Sequence, residues 1–156
     1  MTNEVNRPDD SPAGGAGLPL DIGGALVGHS SFRLSPADAV ARLNTVLAHA
    51  WMVRTFLKHA DEVQDHEDML DVPRALYDAI RAVEPAFQRG DIADYLRRLK
   101  GKLPKLRRAA DYFAAHFREV SPHTNFEMAS LSLAGVVRHM EEIFALVGEE
   151  KDEKKD

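Results

Sequence analysis

The chain has 156 residues, 44% of them hydrophobic, with 20 lysines and arginines against 25 acids for a formal charge of −5. Once a polar leader and a charged tail are set aside, about 110 residues remain, enough for one domain with a single sizeable core, and the charge gives no overall pull toward nucleic acid or an anionic membrane. Cysteine is absent, which excludes disulfides, thiolate nucleophiles and cysteine-ligated zinc or iron–sulfur centres, so a metal would have to sit on histidine and carboxylate.

Residues 1–34 concentrate glycine and proline at Pro8, Pro12, Gly14, Gly15, Gly17, Pro19, Gly23 and Gly24 and read as a largely disordered leader. Within it, residues 18–27 (Leu-Pro-Leu-Asp-Ile-Gly-Gly-Ala-Leu-Val) are apolar enough to dock on the domain or on a protein partner. Met1 to Pro12 is acidic and polar with no basic stretch. No apolar run approaches the roughly 20 residues that span a bilayer. The expectation is a cytoplasmic protein with no membrane segment.

From about Pro36 to Met69 apolar residues keep helical spacing without a break, opened by Ser35 as N-cap, Pro36 at the first helical position and Asp38 in the first turn. At about 100° per residue, Val40, Leu43, Val46, Leu47, Ala50, Trp51, Val53 and Leu57 share one broad face. Arg54 points between Leu43 and Leu47, and Met52, Phe56 and Val63 form a second, narrower stripe. A helix apolar on two sides needs neighbours on both, and an arginine inside a stripe needs an acidic partner. Glu84 is the better-oriented counterion and Asp78 the poorer one, which makes Arg54 and Glu84 a buried structural pair.

Asp71-Val-Pro73 is expected to restart a second helix that runs to Gln88, with Leu76, Ile80, Val83 and Phe87 on one face, closing at Arg89-Gly90. The third helix starts at the Asp91 cap and ends near Val120, with an inner stripe of Leu96, Leu99, Leu103, Leu106, Ala110, Phe113 and Phe117 and a kink expected near Gly101 and Pro104. Its outer side carries Arg97, Arg98, Lys100, Lys102, Lys105, Arg107 and Arg108 with no acid among them. The fourth follows Ser121-Pro122 or starts at Thr124, and runs to about Val147. Its inner stripe is Phe126, Ala129, Leu133, Val136, Val137, Met140 and Phe144, and its outer one Met128, Leu131, Gly135 and Leu146. Four such segments with short connections predict an all-α fold, an antiparallel up-down-up-down four-helix bundle over 35–148, followed by a charged disordered tail, 149–156.

Alternating helix directions would bring His59, Glu62 and His66 to one end of the bundle with Arg74, Asp78, His116, Glu119, His123, Asn125 and Glu127. His59, Glu62 and His66, three and four positions apart, share a helix face within about 60°. With His123 they offer the imidazole and carboxylate mix used by non-haem iron, manganese or zinc, and so a site for one or two divalent metal ions. The order here is His-x-x-Glu, at 59, 116 and 139, the reverse of the Glu-x-x-His of di-iron bundles.

Arg54-Thr-Phe-Leu-Lys-His59 is similar to the arginine–histidine signature, four to six residues apart, of the HEPN ribonucleases, small all-α proteins that cut RNA at a dimer interface. The resemblance covers six residues. In that family the motif belongs to a late helix with a polar residue near the arginine, whereas here it lies in the first. It implies Arg54 holding phosphate and His59 as general base.

The primary expectation is a non-catalytic binding or assembly protein without a cofactor. It would form a homodimer through the first and fourth helices, using Trp51, Met52, Phe56, Met128 and Leu131. Arg97, Arg98, Lys105 and Arg108, or residues 18–27, would meet a protein partner. No aromatic interleaves the basic run, so nucleic acid is not the expected occupant.

Overall fold

The computed structural model describes residues 32–148. The predicted leader to residue 31, its docking segment 18–27, and the tail 149–156 lie outside the described residues. The described residues are all-α, in five helices: α1 (Pro36–His59), the single turn α2 (Asp61–Gln64), α3 (Glu67–Gln88), α4 (Ile92–Val120) and α5 (Thr124–Leu146). The four long helices pack in a ring, α1 on α3, α3 on α4, α4 on α5 and α5 back on α1. Phe56 near the end of α1 meets Phe126 near the start of α5, while Leu34 before α1 bonds Leu146 at the end of α5. These two contacts make α1 and α5 antiparallel, as an up-down-up-down bundle requires.

Local chemistry marks most helix ends where the sequence places them. The Ser35 hydroxyl accepts from the Asp38 N–H at 3.1 Å, and the Asp91 carboxylate accepts from the Asp94 N–H at 3.0 Å, each satisfying a first-turn donor that has no partner within its helix. The α3 end closes on Gly90, whose φ of 68° is open to glycine at no steric cost. The Gly90 and Asp91 N–H groups then return to the carbonyls of Phe87 and Ala86, the Schellman arrangement. At the α5 end, Leu34 donates to the Leu146 carbonyl at 2.8 Å and Gly148 donates to the Leu34 carbonyl at 3.4 Å, so the chain entering the bundle caps the chain leaving it.

The long first helix is corrected. It breaks at Ala60, whose backbone is extended (φ −79°, ψ 116°), and α2 turns Val63 into the core, where it is fully buried. Val63 therefore does not extend the Met52 and Phe56 stripe. The restart is corrected too: α3 begins at Glu67, and Pro73 lies inside it, buried beside Met69, Val72 and Leu76. Acids Glu67 and Asp68 in its first turn favour that earlier start by complementing the helix dipole. Leu43, Leu57, Leu76, Leu99, Phe113, Leu133 and Met140 form the sealed centre of the core.

Candidate functional site

α1 and α3 border a groove that carries the most distinctive chemistry. Trp51 and Arg54 are one turn apart on α1, and Tyr77 faces them from α3. The Arg54 guanidinium carbon lies 4.5 Å from the Trp51 ring centroid and 4.9 Å from that of Tyr77, while the Arg81 guanidinium carbon lies 5.3 Å from the Tyr77 centroid. Such placement is attractive because the ring face is electron-rich.

The Arg54–Glu84 pair is thereby corrected. Arg54 is half-buried, and among the described residues it forms no ion pair. Glu84 is taken by Arg81 through a short contact one turn away, and Asp78 by Lys105 across to α4 at 3.2 Å. Aromatic rings occupy the places where a carboxylate was expected.

The groove holds two cavities. One, of about 350 Å³, is lined by Asn44, Leu47, Ala48 and Trp51 of α1, Ile80, Arg81, Val83, Glu84 and Phe87 of α3, and Tyr95 of α4. Tyr95 is fully buried and its hydroxyl has no hydrogen-bond partner among the described residues. Burial disfavours the phenolate and pushes its pKa up to about 12. The other, of about 360 Å³, lies further toward the end of α1 and is lined by Arg54, Lys58, Gln64, Leu70, Pro73, Arg74, Tyr77 and Asp78. Gln64 donates to the Lys58 carbonyl at 2.9 Å, which ties α2 to the end of α1 and brings both residues to this pocket.

The histidine-rich end is divided. His66, His116 and Glu119 line one pocket of about 390 Å³ with Asp65, Glu67, Asp68 and Tyr112; His116 bonds Glu119 at 3.1 Å and its ring lies 4.3 Å from that of Tyr112. Burial, then Asp68, Glu119 and Asp71, raise the Tyr112 pKa. His59 and Glu62 are exposed and line neither this pocket nor that of Arg54. His123 is the α5 cap, its Nδ1 accepting from the Asn125 N–H at 3.1 Å. Among the described residues no group of three or more His, Asp or Glu side chains is placed to hold a metal ion.

Much of the basic side of α4 is matched within the chain. Arg97 and Arg98 both reach Asp94, whose pKa they hold down by hydrogen bonding. Lys105 pairs with Asp78 and Arg107 with Glu141, and Arg108 lines a pocket with Asp68 and Asp71.

The remaining candidates separate by face. Met52, Met128 and Leu131 are 66%, 50% and 61% exposed. Phe56, one turn from Met52 on α1, is half-buried and packs edge-on against Phe126 of α5 at 5.1 Å. Trp51 is not part of this face: it borders the α1–α3 groove. Tyr77, Phe87 and Tyr95 were not singled out from sequence as site residues. The spacings Trp51-x-x-Arg54 and Tyr77-x-x-x-Arg81 are the signal that points to the groove, since residues three and four apart are helix-surface neighbours.

No helix among the described residues is long and apolar enough to cross a membrane. Neither protein-family models, nor curated proteins, nor solved structures give a match to this chain.

Proposed function

We propose that the protein is a non-catalytic helical-bundle assembly protein that acts as a homodimer in the cytoplasm, with the outer face of α1 and α5 as its contact between copies. The observation that carries this reading is the exposure of Met52 on α1 and of Met128 and Leu131 on α5, each at least half open to solvent, on two helices that pack against each other. Large apolar side chains exposed in this way favour a protein partner over water. Gly135, one turn beyond Leu131, has nothing within 4 Å of where a Cβ would stand, so a second helix can approach there closely. A twofold contact uses the same patch on both copies, which needs no second binding partner to be self-complementary. The absence of cysteine suits a reducing compartment.

Light scattering at micromolar concentration tests the reading. A mass of twice 17.3 kDa is expected, and 17.3 kDa across the accessible range would overturn it. The metal-enzyme alternative has its own measurement: stoichiometric iron, zinc or manganese in the purified protein, lost in His59→Ala and Glu62→Ala, would replace the assembly reading.

A further inference from the structure

Arg54 presents a half-buried charge that no carboxylate among the described residues answers. Its guanidinium carbon lies 4.5 Å from the Trp51 ring centroid and 4.9 Å from that of Tyr77. A guanidinium carries five N–H donors in a fixed fork, and a forked oxyanion is the group that satisfies two of them together. Lys58 lines the same pocket and, like Arg54, pairs with no carboxylate among the described residues. The other two charged groups of the lining are balanced elsewhere: Arg74 by Asp71 at 3.1 Å, Asp78 by Lys105 at 3.2 Å. Two positive charges are therefore left over in one pocket of about 360 Å³.

We propose that this pocket, formed by Arg54, Lys58, Gln64, Arg74 and Tyr77, binds a small phosphomonoester. The charge count selects the class. A phosphomonoester carries about −1.5 to −2 near neutral pH and matches the two unbalanced cations, whereas a single carboxylate would leave one of them unneutralised. Pocket size agrees, since the apolar wall of Leu70 and Pro73 leaves room for a phosphate and a few further atoms. The organic part of the ligand is directed along the groove to the neighbouring cleft, where Trp51, Ile80 and Phe87 offer an apolar wall. His59 does not line the pocket, so the cluster binds and does not supply a general base. The site lies on the α1–α3 side and stands or falls independently of self-association through α1 and α5.

The test uses the full chain at low salt with phenyl phosphate, inorganic phosphate and benzoate as probes, read by titration calorimetry and by the emission of Trp51, the one tryptophan of the chain. Phenyl phosphate is expected to bind saturably at one site per chain, more tightly than inorganic phosphate and at least tenfold more tightly than benzoate. Arg54→Ala should weaken it at least tenfold. Lys58→Ala and Arg74→Ala, at exposed positions where the fold is not at risk, should each weaken it severalfold. Arg138→Ala, on α5 outside the pocket lining and paired with Glu142, should leave it unchanged. Saturable binding that is indifferent to Lys58→Ala and Arg74→Ala would overturn the proposal, as would benzoate equal to phenyl phosphate, or no saturation by either readout at millimolar probe.

Discussion

α1 exposes large apolar side chains on two sides, and the two sides solve the problem differently. Toward α3, Trp51, Tyr77 and Phe87 are partly open to solvent, but guanidinium groups lie on the rings of Trp51 and Tyr77. A stacked arginine turns an exposed ring into a surface that water tolerates and a polar ligand can use. Toward the outside of α1 and α5, Met52, Met128 and Leu131 have no such cover and no charge of their own. Exposed area is similar in kind on both sides. What separates them is the chemistry above the apolar atoms, and on that ground the first is proposed for ligand recognition and the second for a second copy of the chain.

The sharpest way to break this contrast is a charge in the bare face. Leu131→Glu introduces a carboxylate twice into a twofold contact, where like charges oppose each other at a cost of several kcal/mol. The dimer should weaken on the order of a hundredfold or more, equivalent to about 2.7 kcal/mol, and light scattering should return 17.3 kDa. An unchanged mass above that value would place the contact elsewhere.

On the other side, Arg54→Ala should destabilise the fold by about 1–2 kcal/mol in urea unfolding, from ring contacts of about 0.5–1 kcal/mol each. Stranding a buried carboxylate would cost about 3–5 kcal/mol, and no carboxylate is paired with Arg54 to be stranded. A loss in that higher range would restore the ion pair that the geometry removes.

Tyr95 sharpens the comparison from beneath the groove. Its buried hydroxyl lacks a partner among the described residues, so Tyr95→Phe should leave stability at neutral pH unchanged or raise it by about 1 kcal/mol. Burial raises its pKa to about 12, so the folded state keeps a proton that the unfolded chain releases near the ordinary tyrosine pKa of about 10. The Tyr95 contribution is therefore complete below about pH 10 and declines as pH rises toward 12, at about 1.4 kcal/mol per pH unit. Alkaline unfolding of Tyr95→Phe should lack this part of the decline. The smallest effect is expected from Met52→Gln in the monomeric Leu131→Glu background, within about 0.5 kcal/mol as for an exposed residue. A larger loss would mean that Met52 packs into its own bundle.

The bundle was legible because each long helix carries a broad apolar stripe toward the core, beside the second stripes of α1 and α5, and most ends carry a cap. Asp91 and Gly90 locate the α3–α4 turn from side-chain and backbone chemistry alone. The break at Ala60 was not legible, because alanine favours helix and the apolar spacing runs on into Val63; the break follows from packing Val63 inward. Pro73 misled for the opposite reason, since proline usually marks a start but here continues a buried stripe. At the site, the sequence reading required an acidic partner for Arg54, and the described residues supply none. Periodicity could not say that aromatic rings from two helices would stand where a carboxylate was expected, because the angular position of Tyr77 depends on where α3 begins. The histidines were gathered by helix direction but divided by side-chain direction, with His66 and His116 in one pocket and His59 outside it.

Methionine methyl resonances test the central claim residue by residue. Met52 and Met128 stand on the proposed contact face, while Met69 and Met140 are sealed in the core and serve as internal references. On dilution through the dimer's dissociation range, the Met52 and Met128 methyl signals should shift together while Met69 and Met140 stay fixed. Stationary Met52 and Met128 signals across a change in mass, or across no change in mass at all, would contradict the account.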